Sequence, residues 1–227
     1  MASSTPATPS TKETTNYARL CRVLVDVGTC ALRDCFDLIC SPTTLHTVLA
    51  TNQPTLQSLR SKRIINPTQW GKLFPAIPAS VSSRDFDITL LMILLRNICG
   101  LAPPRTGWDS LPGATDVSRE ADIARVKYFR NTVYGHAEQA FVDDATFDTH
   151  WKEIRDTLVR LGGVTYKVLS RLWYHVFSLY TMLPDKYNHL FLLSLFLFCF
   201  GFIMVNTKAH QCSDLCVRNG CPLISSC

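Results

Sequence analysis

Arg130, Asn131 and His136 stand close together in the run RVKYFRNTVYGHAEQ (125–139), and their types suit one reaction. RNA carries its own nucleophile, the 2′-hydroxyl. Cleaving it therefore needs a proton acceptor, a proton donor and charge stabilisation on the phosphorane. Histidine titrates near neutral pH and exchanges protons readily. Arginine holds two phosphate oxygens through parallel hydrogen bonds. Asn131, with Tyr134 beside it, could orient phosphate or base. The scheme calls for no metal and no cofactor. A plainer use competes with it. Arg130 falls between Val126 and Val133 on a helical stripe, and a guanidinium facing a core is costly unless it is paired. Asp85, Asp87, Glu153 or Asp156 would supply such a partner. On spacing alone the structural use ranks first.

The spacing also sets a geometric condition. Six helical residues turn through about 600°, so the Cα vectors of Arg130 and His136 diverge by roughly 120°. Either the long arginine reaches round, with Gly135 loosening the helix, or two copies of the helix meet across a dimer axis.

The elements that must position these residues read as helices. Residues 1–15 are Ser, Thr, Pro and Ala-rich and read as a disordered tail. Tyr17, Leu20, Leu24, Ala31, Cys35 and Ile39 recur at helical spacing, broken at Gly28 and ended by Ser41-Pro42. Residues 43–75 predict short helices, with Pro67 in a first turn. Pro75–Val81 reads as a linker. Ser82 or Ser83 caps the next helix, with Asp85 and Asp87 in its first turn. Phe86, Leu90, Ile93, Leu94 and Asn97 form its inner stripe, and Gly100 stops it. Residues 101–115 form a loop pinned by Trp108. Asp116 or Ser118 caps the helix that carries the motif, which reaches about Phe141 with a stripe of Ile123, Val126, Val133, Ala137 and Ala140. Asp143 or Asp144 starts the last helix, built on Phe147, Trp151, Ile154, Leu158 and Leu161 and ended by Gly162-Gly163. No segment alternates with period two, so the fold class is all-α, an antiparallel helical bundle.

Composition narrows the partners. The 227 residues carry a net charge of +5, yet the first 162 are close to neutral. That gives no strong field for long nucleic acid, so an RNA contact must be local. Cys21, Cys30, Cys35, Cys40 and Cys99 lie in apolar helical surroundings and read as buried free thiols. The first twenty residues hold no apolar core of a signal peptide, so the domain is expected to stay in the cytosol. Ala2 excludes N-myristoylation. Tyr187–Val205 is 19 residues without a formal charge. As a helix it spans about 28 Å, the hydrocarbon thickness of a bilayer. Residues 164–183 are amphipathic and fit a membrane surface. The reading is a tail-anchored membrane protein with its N-terminal domain cytosolic and 206–227 on the far side. Cys212, Cys216, Cys221 and Cys227 lack a Cys-x2-Cys pair, so a zinc site is their least expected use. Crosslinking or palmitoylation suits them better.

The stretches FDITLLMILLRNICGLAPPRTGWDSLP (86–112), DVSREADIARVKYFRNTVYGHA (116–137) and FDTHWKEIRDTLVRLGG (147–163), with a weaker pattern at 16–74 running into WGKLFP (70–75), resemble the HEPN domain of the DAZ-interacting protein 3 type. The resemblance covers residues 16–163. It implies a helical bundle that dimerises. In the wider HEPN class it implies an Arg-x4–6-His ribonuclease site, which Arg130, Asn131 and His136 match residue by residue. Many such domains instead serve as interaction modules beside signalling, death-fold or ubiquitin-ligase modules. The type is named for a ubiquitin ligase, but these residues show no RING, so ligase activity is not carried over. The expectation is a membrane-anchored, dimerising interaction and signalling module in innate defence or an RNA-linked stress response. The alternative is a metal-independent endoribonuclease for single-stranded RNA.

Overall fold

Helix signals and apolar spacing translate into eight α-helices in the computed structural model, which describes residues 11–135, 140–163 and 166–168. They are α1 (Lys12–Arg22), α2 (Thr29–Ile39), α3 (Leu45–Thr51), α4 (Gln53–Ser61), α5 (Pro67–Leu73), α6 (Ile88–Ile98), α7 (Arg119–Gly135) and α8 (Asp144–Gly162). Among the described residues there is no strand, as the missing period-two alternation predicts.

The first long stripe is unbroken. A π-helical turn, Val23–Gly28, joins α1 to α2, so Gly28 does not interrupt the helix. One extra residue in a turn rotates the downstream helix about its axis. Leu20 and Leu24 before Gly28, and Ala31 and Cys35 after it, are all buried. The helix also starts earlier than its apolar stripe. Thr11 and Thr14 cap each other reciprocally, so residues 12–15 are helical rather than part of a tail.

Asn66 caps α5 through Gln69 with Pro67 in its first turn. The cap of α6 is not Ser82 or Ser83 but Asp87, whose side chain accepts from Leu90 N–H at 2.8 Å. Ser82 caps a short 3-10 turn instead. The inner face of α6 is Ile88, Leu90, Leu91, Leu94 and Leu95; Ile93 is half-buried and Asn97 is exposed. Gly100 and Gly163 stop α6 and α8 with φ of 66° and 72°.

The core forms where α7 meets α8, α2 meets α6, and both α1 and α2 meet α8. Phe36 and Phe86 meet edge to face there at 6.1 Å. Five thiols, Cys21, Cys30, Cys35, Cys40 and Cys99, are free. Among the described residues no helix is long and apolar enough to cross a membrane. The segments 187–205 and 206–227 lie outside the described residues, as do residues 1–10 and all of 164–183 except Tyr166–Val168.

Candidate functional site

The motif helix begins on a small capping network. Asp116 accepts from the amide and hydroxyl of Ser118, and Ser118 Oγ accepts from Ala121 N–H at 3.2 Å. Glu120 and Asp122 in the first turn complement the helix dipole. The described helix ends at Gly135, and Phe141 is outside any helix, so α7 does not reach Phe141. Ala140 turns the chain with a φ of 45°.

The inward face of α7 differs from the stripe read off the sequence. Its buried residues are Ala121 to Val126, Phe129 and Val133. The arginine facing the core is Arg125, 5% exposed, not Arg130. Arg125 donates to Asp122 Oδ1 at 2.7 Å and to the Gly113 carbonyl at 2.6 Å. Arg160 of α8 grips both oxygens of the same carboxylate at 2.7 and 2.8 Å. Asp122 is 1% exposed. This buried carboxylate between two guanidiniums ties α7, α8 and the 101–115 loop together.

Arg130 lies at the edge, half-buried. Its Nη1 donates to Asn131 Oδ1 and its Nη2 to Thr89 Oγ1 of α6, each at 3.0 Å. Its guanidinium carbon is 5.3 Å from the ring centroid of Tyr134. Its Nε is buried without a hydrogen-bond partner. None of the four carboxylates proposed for it becomes its partner. Asp87 caps α6 and accepts from Gln69, while Asp156 pairs with Lys152 and Arg155. Burial raises the phenol pKa of Tyr134, and Arg130 opposes the shift.

Asn131, while accepting from Arg130, also lines an open groove of about 300 Å³ shared with Trp108, Asp109, Lys127, Tyr128 and Thr132. Lys127 bonds to Asp109 and to the Trp108 carbonyl, the latter at 3.3 Å, and Arg96 reaches Asp109 at 3.3 Å. Lys127 holds the Asp109 carboxyl below its ordinary pKa. These polar links pin the loop. Trp108, half-buried, lies in the same groove beside Lys127 and Tyr128.

The structure thus brings Arg130 and Asn131 into direct contact, and His136 lies outside the described residues. Spacing pointed to neither the Asp122 cluster nor the groove. The one local signal was the i, i+3 pair of Asp122 and Arg125.

A family model described as DZIP3/hRUL138-like HEPN matches residues 42–172. The chain is 29% identical over 149 residues to E3 ubiquitin-protein ligase DZIP3 of Mus musculus, covering 64% of this chain and 12% of that protein. It is 26% identical over 180 residues to E3 ubiquitin-protein ligase DZIP3 of Homo sapiens, covering 74% of this chain and 15% of that protein. The chain therefore spans only a small part of the length of these relatives. No solved structure matches. The resemblance read over 16–163 is borne out from residue 42 onward; the family model leaves 16–41 outside and runs past Gly163 to 172.

Proposed function

The chain belongs to the DZIP3/hRUL138-like HEPN family, and from that premise we propose that it works as an interaction module that pairs with a second copy of itself, its helices packed antiparallel. The observation that carries this reading is the way Arg130 is held. Both of its terminal nitrogens bond within the chain, its face rests on Tyr134 and its Nε is buried. A guanidinium so occupied supports α6 against α7 and is poorly placed to receive a phosphate. Along the outer side of α7, Tyr128 and Tyr134 are 36% and 41% exposed with Asn131 between them. Exposed tyrosines on a helix suit an interface. Sedimentation equilibrium of the full chain in mild detergent tests the pairing. The expected result is a dimer that Tyr134→Ser weakens at least several-fold. A wild-type monomer at every concentration overturns it.

The second reading is a metal-independent endoribonuclease for single-stranded RNA, with Arg130 on the phosphate, His136 as acid/base and Asn131 orienting the substrate. The groove favours it, because Asn131 lies beside Lys127, Trp108 and Tyr128, a set that suits an unstacked base and its phosphate. Ligase activity is not part of either reading. In both, Tyr187–Val205 crosses a membrane with the HEPN domain cytosolic, in service of signalling in defence or stress. Release of the chain by carbonate extraction would overturn that placement.

A further inference from the structure

Between Ser41 and Ser83 the chain carries no Asp or Glu, yet Arg60, Lys62, Arg63 and Lys72 fall inside that stretch. All four belong to the α4–α5 edge of the chain, Arg60 in the last turn of α4, Lys62 and Arg63 just after it, and Lys72 on α5. Arg60 lies 4.7 Å from the ring centroid of Trp70, which holds the end of α4 against α5. Arg60, Lys62 and Arg63 are exposed and Lys72 is half-exposed. Among the described residues none of the four forms an ion pair. The carboxylate that contacts α5 is Asp87, which meets it through the buried Gln69.

Two large aliphatic side chains accompany the charges. Ile64 is 47% exposed and Ile77 is 68% exposed, one in each loop flanking α5. The core position beside Ile64 is already filled by Ile65, at 1% exposure. Arg63 has a φ of 60°, which ends α4 and reverses the chain just before Ile64.

We propose that this edge is a docking surface for an anionic phospholipid membrane. Unpaired lysines and arginines are drawn to the negative potential of such a surface, and the attraction falls off within a Debye length. Ile64, directly after Lys62 and Arg63, and the more exposed Ile77 gain by entering the boundary between headgroups and acyl chains. A polyanion in water offers them nothing. The one tryptophan of the patch is not free to stack on a nucleobase either, since its ring already meets Arg60 and, at 4.5 Å between centroids, Phe74. Charge with exposed aliphatics and an occupied aromatic therefore favours lipid over RNA. The proposal is independent of whether 187–205 spans a bilayer.

Hydrogen exchange on the full chain decides it, comparing vesicles of phosphatidylcholine with vesicles that also contain phosphatidylserine. Amides in 60–66 and 74–80 should exchange several-fold more slowly with phosphatidylserine present, and high salt should remove the effect. Amides of α7 serve as the control and should not change. A K62E/R63E variant and an I64S/I77S variant should each lose the protection while α7 stays protected as in the wild type. Equal exchange in the two vesicle types overturns the proposal, even for a chain that binds both. So does protection that appears on adding single-stranded RNA in place of lipid.

Discussion

At the scale of single residues, the buried carboxylate Asp122 is the most consequential polar group described. Arg125 and Arg160 share it, but not equally. The Arg125 side chain is 6% exposed and the Arg160 side chain 34%. Asp122→Ala would leave Arg125 desolvated with only the Gly113 carbonyl. Removing one partner of a buried ion pair costs about 3–5 kcal/mol, a large share of the stability of a domain this size. Arg160→Ala removes the more solvated partner and should cost about 1 kcal/mol. Urea unfolding of the two variants checks the order. Equal midpoints would mean that Asp122 is not the hub. The sequence pattern pointed to Arg130 as the inward arginine because 126, 130 and 133 fit one helical face. It could not see that Arg160, distant in sequence, would neutralise a carboxylate on the neighbouring face and draw Arg125 inside. Local periodicity carries no information about a partner on another helix.

At the scale of elements, starts and stops were legible wherever one residue type fixes the backbone. Pro67, Asp143, Gly100 and Gly163 act as their types predict. The reading failed where several residues could do the same work. Ser82, Ser83 and Asp87 are all competent caps, and packing chose Asp87. It also failed at Gly28, where helix propensity suggests a break and the chain forms a π turn. Gly28 has helical φ and ψ of −62° and −41°. A Cβ there would sit in ordinary contact, 3.7 Å from Val126 and 3.8 Å from Ile88. Gly28→Ala should therefore be neutral or stabilise by up to about 1 kcal/mol. Gly162 is the opposite case. A Cβ there would fall 1.9 Å from the ring of Tyr166, whose hydroxyl donates to Asp34 at 2.6 Å. Gly162→Ala should lose that anchor and cost about 1–3 kcal/mol through overpacking. Thermal melting compares the pair, and a Gly162→Ala protein as stable as Gly28→Ala would show that Tyr166 does not pack on α8.

At the scale of the whole molecule, helical class and family were both legible before the fold. The HEPN resemblance rested on patterned runs rather than on single residues. Of the Arg130, Asn131 and His136 set, the fold brings the first two together but commits the arginine to Thr89, Asn131 and Tyr134. That is the ground for reading a module that binds rather than an enzyme that cuts. On the proposed reading, the outward tyrosines of α7 would meet a second copy, and the basic residues of α4 and α5 would meet lipid. The most direct test of the central claim is cleavage of labelled single-stranded RNA by the purified full chain in EDTA, set beside His136→Ala. The account predicts no cleavage above buffer by either protein at concentrations where the wild type is paired. Cleavage by the wild type that His136→Ala reduces by two or more orders of magnitude would contradict it and establish the ribonuclease.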